Sequence, residues 1–322
     1  MWFEQLVGFP ETDGDDVRSR LELDGEWLTS TVSGRRMRCG TLALASLGEL
    51  RATTPAEERG PNRLRQLVAD VRELHRDTES AGATFQVASQ FNLLEMVSPT
   101  VTPEAGIDRY ERDRTQGPAC AIACSAGTIL RNYFAPIEGQ LGQTSDRQLD
   151  GLADLRRHLA GDAPGWQMIN GYAMFDDDAL ADVAGTLAGM TEAELDHARA
   201  LLRVGVHRDV EVTTAPTAHT VTQVYCSALP VSYNAGPPER FERLARLVLE
   251  AAYEATLLAA TGPRVYLTLL GGGVFGNVEA WIIDAIERAL TVLDNRGLDV
   301  AVVSYGAPNP LVDRLVERHN SR

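Results

Sequence analysis

The chain has 322 residues, 44% of them hydrophobic, with a formal net charge of −15; that length holds one large core or two modest ones. The negative charge argues against nucleic acid as a partner, because such binding draws its affinity from clustered cations that neutralise phosphates. All 30 cationic residues are arginine, which excludes lysine Schiff-base chemistry, and no run approaches the roughly 20 unbroken apolar residues of a membrane span.

Met1–Pro10 lacks a basic segment followed by an apolar run, so a soluble, cytoplasmic protein with one domain carrying insertions is expected. Cys39, Cys120, Cys124 and Cys226 show no CxxC spacing, which reads as small buried residues in a reducing compartment rather than a disulfide framework or a zinc site. The histidines form no HxH, HxxxH or HExxH pattern, and neither a metal centre nor a cofactor is expected.

In chain order, residues 1–80 read as an N-terminal extension covering the core, with a β-like run at Trp27–Val32 and a helical pattern over Leu64–His75. Ala83–Ser89 alternates and reads as a strand ending at Gln90-Phe91-Asn92. A loop rich in Pro, Thr and acids runs to Thr115, and a small-residue helix is expected from about Gly117 to Tyr133. Residues 135–203 read as a mainly helical insertion: helix Asp146–Leu159, a turn at Asn170-Gly171, and two helices in Asp177–Arg203, the second opened by a Thr191–Glu194 capping box. The remainder alternates strand Val204–Thr213, strand Thr220–Val231, helix Glu239–Ala260, strand Val265–Leu270, helix Val278–Leu293, strand Val300–Ser304 and a closing helix. That order, with near-continuous apolar strands, predicts an α/β fold: a three-layer α/β/α sandwich around a mixed central sheet.

The sharpest local signal is the passage from Val265–Leu270 into Gly271-Gly272-Gly273-Val274-Phe275-Gly276-Asn277 and then a helix. Strand, glycine loop and helix start together present unpaired backbone N–H groups to an anion. It is neither GxxxxGK[ST] nor GxGxxG, which disfavours nucleoside triphosphate hydrolysis and a dinucleotide fingerprint.

This loop resembles the second ligand loop of macrodomains, where Gly-Val-Phe-Gly precedes a helix. The resemblance implies that Gly271–Asn277 wraps the diphosphate of ADP-ribose and that Phe275 lies against the distal ribose. Asn92 stands where the family's other ligand loop begins, although the usual Asn-Ala-Ala-Asn is absent. The acid-bearing loop from Glu95 through Glu104 and Asp113 to Thr115-Gln116-Gly117-Pro118, taken with Thr222–Pro230, is similar to the MavL-type branch of macrodomains, which are ADP-ribosylarginine hydrolases. The likeness covers roughly residues 83–134 and 204–320. It implies ADP-ribose and an arginine-linked ADP-ribosylated protein, ubiquitin or another, as partners.

Hydrolysis of such a linkage needs carboxylates to activate water and to hold the guanidinium or ribose hydroxyls; Glu95, Glu104 and Asp113 are the candidates. Thr115, Gln116 and Gly117 open a helix whose free N–H groups either meet the ligand or simply start the helix. Gln223 and Ser227 share one strand face and either reach the cleft or satisfy polar groups in the sheet. Tyr305 and Asn309 follow the last strand, where macrodomains contact adenine; a helix cap explains Asn309 equally well. A non-catalytic ADP-ribose reader, or a different nucleotide enzyme, are the rival functions.

Overall fold

A computed structural model describes residues 1–55, 59–161 and 165–321. Seven strands form its central sheet: β1 (Thr41–Ser46), β2 (Arg63–Val68), β3 (Thr84–Ala88), β4 (Arg203–Glu211), β5 (Thr220–Cys226), β6 (Arg264–Leu267) and β7 (Asp299–Ser304), in the spatial order β1-β4-β5-β3-β6-β7-β2. The pairs from β5 through β3, β6 and β7 to β2 are all parallel, whereas β4 is antiparallel to both β1 and β5. The sheet is therefore mixed.

Strand alternation sorts side chains to two faces. Val224, Cys226, Val265, Leu267, Val300 and Val302 pack into one core. It is covered by helices Glu242–Ala259 and Glu279–Val292 and by Val312 and Leu315 of Pro310–Asn320. Phe85, Val87, Tyr225, Tyr266 and Ala301 face the other way, against Val71, Cys120 and Cys124. These are the three layers expected, and all four cysteines are buried and free. No helix among the described residues is long and apolar enough to cross a membrane.

Several expected elements differ. Leu64–Val68 is a strand, not the start of a helix: its apolar residues also fit helical spacing, but its backbone pairs with Asp299–Ser304 along the open parallel edge, and the helix is confined to Val71–Arg76. Residues 1–80 thus supply both edge strands rather than only a cover. A small three-stranded sheet, which includes Trp27–Ser30, lies before β1. The expected helix over Gly117–Tyr133 breaks at Cys124 (φ −113°, ψ 58°). It continues as Ser125–Ile129 and a π-turn over Leu130–Phe134. In the insertion, the first helix begins only at Ala153. Asn170 and Gly171, both at positive φ, close a hairpin between Gln167–Ile169 and Tyr172–Met174, and the Thr191 capping box is formed.

Candidate functional site

Parallel strands end at one edge of a sheet, and a crevice opens there because the connections leave to opposite faces. In this chain the segments just after β2, β3, β5, β6 and β7 bound one cleft. A cavity of about 210 Å³ is walled by Ala88 to Gln90, Glu95, Thr115 to Gly117, Ala228 and the glycine loop. A larger one of about 860 Å³ adjoins it, with Thr115, Gln116, Thr268, Leu269 and Gly273 in both walls. Asp70, Asp113, Ser304, Tyr305 and Asn309 line the larger part.

The glycine loop forms the floor of this cleft. β6 ends at Leu267, three residues earlier than the sequence pattern predicts, so Thr268–Leu270 belong to the loop. Some loop amides are used internally: Gly272 N–H donates to the Leu269 carbonyl, Gly276 N–H to Gly273 and Asn277 N–H to Gly271. Among the described residues, no acceptor meets the N–H groups of Gly271, Gly273, Val274 and Phe275. Buried Asn277 pins the loop by donating to the Leu229 and Gly271 carbonyls. Gly276 (φ +70°) is required, since a Cβ there would lie 1.9 Å from Ser232 Oγ. At Gly273, which lines both cavities, a Cβ would meet nothing within 4 Å.

Phe275 also lines the cavity. Its ring packs against Tyr172 at 5.4 Å and Tyr233 at 5.8 Å between centroids, geometry typical of aromatic pairs. Tyr172 belongs to the insertion hairpin, and its hydroxyl donates to the Met96 carbonyl. The insertion therefore braces both the glycine loop and the acidic loop.

Glu95 lines the same cavity. It is 5% exposed, and its Oε1 has no hydrogen-bond partner. Gly117 makes room for it, because a Cβ at that position would fall 2.2 Å from Glu95 Oε2 and 2.1 Å from the Ala88 carbonyl. Burial drives the Glu95 carboxyl well above the usual carboxylate range; Arg131 opposes this and the Asp113 charge adds to it. Asp113 is half-buried, lines the larger cavity, and accepts from Thr115 N–H and Oγ.

The remaining predicted residues divide sharply. Glu104 does not line the cleft: it is exposed and accepts from Ser145 N–H at 2.7 Å, which ties the acidic loop to the insertion. Asn92 is fully buried, donating to Gln148 and accepting from Leu94 N–H, so it shapes the turn before Glu95 from outside the cavity wall. Gln116 both lines the cleft and extends the sheet edge, its amide exchanging hydrogen bonds with Ala88 N–H and the Gln86 carbonyl. Gln223 lies inside the sheet, bonded to the Cys120 carbonyl, His75 and Tyr225. Ser227 donates to Ala228 O and lies outside the wall. Of the two readings open for these residues, both follow the one in which they satisfy polar groups within the protein, and the strand expected to reach Val231 ends at Cys226. Gly272 sits against Ile282. Tyr305 is 83% exposed at the rim, and Asn309 both lines the larger cavity and caps the last helix.

Ser89, Gln90 and Asp70 were not anticipated. Each follows the end of a parallel strand, a signal legible once those strands are known. Asp70 was hidden because its strand had been read as helix.

No family model and no curated protein matches the sequence. Among solved structures, poly(ADP-ribose) glycohydrolase from Thermomonospora curvata is similar at a TM-score of 0.45 and 13% identity, with 95% of each chain covered. The same protein bound to the inhibitor ADP-HPD gives 0.45 and 13%, covering 94% of this chain and 95% of that one. Poly(ADP-ribose) glycohydrolase from Deinococcus radiodurans in complex with ADP-ribose gives 0.43 and 12%, covering 86% of this chain and 92% of that one.

Proposed function

We propose that the chain is a macrodomain-type ADP-ribosyl hydrolase that cleaves the N-glycosidic bond between ADP-ribose and a modified arginine. The observation that carries this is the presence of two features in the wall of one cavity: a run of unpaired main-chain N–H groups at Gly271 and Gly273–Phe275, and the buried carboxyl of Glu95. Amides arranged in this way hold a diphosphate without a cation. The larger cavity takes the adenosine half and the smaller one the distal ribose, whose anomeric carbon is then presented to Glu95.

Glu95 acts as the base. As the C1″–N bond breaks, its electron pair leaves on the guanidine nitrogen; water adds to C1″ and gives a proton to the Glu95 carboxylate, which later returns it to the departing guanidine. A carboxylate raised by burial is a better base than one in water. Asp113, more exposed and closer to the rim, holds the guanidinium of the modified arginine. An ADP-ribose reader would have no use for a buried, unpartnered carboxyl beside the ribose, and this favours the enzyme.

The test is release of free ADP-ribose from an arginine-modified protein. Glu95→Gln should lower kcat by at least about 100-fold while ADP-ribose affinity by calorimetry stays within about threefold. Full turnover by Glu95→Gln would remove the assignment, and binding without turnover by the wild type would make the protein a reader.

A further inference from the structure

Glu95 sits at the end of a tight turn, in which Gln90 N–H donates to the Leu94 carbonyl and Leu93 N–H to the Gln90 carbonyl. Leu93 adopts φ +66°, a left-handed conformation that costs a branched residue on the order of 1–3 kcal/mol and persists only where the surroundings fix it. Its side chain is wedged against Gly205, where a Cβ would lie 2.5 Å from Leu93 Cδ1. Its carbonyl accepts from Nε of Arg131 at 3.1 Å.

Arg131 is fully buried on the π-turn that ends the small-residue helices, a local irregularity often found at functional sites. Its Nη2 donates to Thr128 Oγ1 at 2.9 Å, its Nη1 lies 3.3 Å from His207 Nδ1, and its guanidinium carbon sits 3.7 Å from the Tyr225 ring centroid. No carboxylate among the described residues forms an ion pair with it. A buried cation without one is costly unless its field is used elsewhere. Its charge opposes the burial that raises the Glu95 carboxyl.

Arg72 and Arg114 line the adjoining larger cavity, while Arg131 and Asp113 are the charged groups that act on Glu95. Burial pushes the phenols of Tyr110, Tyr172 and Tyr225 and the thiol of Cys120 upward, so they stay neutral. Burial and Arg131 push His207 down to about 3. Asp113 is the opposing anion.

We propose that Arg131 is the positioning residue of the site: its guanidinium locks the Leu93 turn that carries Glu95 and supplies a buried positive charge that acts on that carboxylate. The inference rests on the reading of Glu95 as the base. It is tested by kcat and KM profiles between about pH 5 and pH 9 for the wild type, Arg131→Lys and Arg131→Gln. Loss of the charge in Arg131→Gln should move the acid limb of kcat/KM up by at least about one pH unit and lower kcat at neutral pH at least about tenfold. KM should stay within about threefold, because the diphosphate loop is untouched. Arg131→Lys, which keeps the charge, should hold the limb within about 0.3 pH unit of wild type. A limb in Arg131→Gln that coincides with wild type overturns the proposal.

If Arg131→Gln does not fold, Thr128→Val replaces it. Removing one anchor of the guanidinium should cost at least about fivefold in kcat with KM unchanged, and an unchanged kcat overturns the proposal equally. Carbon-13 titration of the Glu95 carboxyl in the same variants needs no substrate. A wild type that turns over no ADP-ribosyl substrate would sink the functional reading, while the titration would still decide whether Arg131 governs Glu95.

Discussion

Glu95 owes its chemistry to three neighbours of different kinds. Gly117 gives it space, Arg131 offsets part of the burial penalty, and Asp113 adds like charge. Because its folded pKa lies above the unfolded one, the protein takes up a proton at this site on folding. The stability tied to the neutral form is present below the unfolded carboxylate value and is lost as pH rises through the raised folded value. Glutamine cannot ionise, so the melting temperature of wild type minus that of Glu95→Gln should decrease from about pH 5 to about pH 8, by about 2 °C or more. Scanning calorimetry across that range checks it; a difference that does not change with pH would mean that Glu95 titrates normally.

At the scale of elements, the glycine loop and the acidic loop are each fixed by structure outside themselves. Asn277 and Ser232 set the glycine loop, and the insertion holds both loops, its hairpin through Tyr172 and its first segment through Ser145, which donates to Glu104. Two glycines of the same loop should respond differently to a methyl group. Gly276→Ala meets a positive φ and Ser232, so it should lower the melting temperature as well as ADP-ribose affinity. Gly273→Ala meets only open space; it should leave the melting temperature within about 1 °C yet weaken ADP-ribose at least about tenfold by crowding the anion. Parallel thermal melts and calorimetric titrations separate the two, and unimpaired binding by Gly273→Ala would show that no ligand approaches this backbone.

The same elements show why the sequence pattern points to the glycine loop and Glu95, which line the cavity, and also to residues that lie outside it. Gly271–Asn277 announces itself locally, because several glycines between an apolar strand and a helix have few other uses. Gln223 and Ser227 were read by strand alternation, which gives the face of a side chain but not its distance from the strand end. Glu104 was chosen as one acid in an acidic loop, and loop acids carry no periodic signal of where they point. Arg131 lies in an apolar helical run whose break at Cys124 and π-turn are set by tertiary packing, beyond what spacing encodes.

For the whole molecule, the layered architecture follows from the alternation of strands and helices after residue 204, while the sheet edges do not. Thr41–Ser46 and Arg63–Val68 come from the first 80 residues and gain their identity only by pairing with Arg203–Arg208 and Asp299–Ser304. With these edges in place, the carboxyl ends of β2, β3, β5, β6 and β7 converge on one cleft, and residues as far apart as Asp70, Glu95, Gly273 and Asn309 share its walls. The charge of −15 means that a polyanion would meet repulsion from the molecule as a whole, so in the proposed reading the phosphates are held locally, by the loop amides and beside Arg72 and Arg114 of the larger cavity.

In the proposed reading, main-chain amides of the glycine loop seat a diphosphate so that its sugar is presented to Glu95. A crystal structure of the protein with ADP-ribose tests it most directly. The diphosphate oxygens should lie within hydrogen-bond distance of the Gly273–Phe275 N–H groups, with the anomeric carbon turned toward the Glu95 carboxyl. ADP-ribose bound with its diphosphate away from that loop, or with its distal ribose directed away from Glu95, would contradict the account.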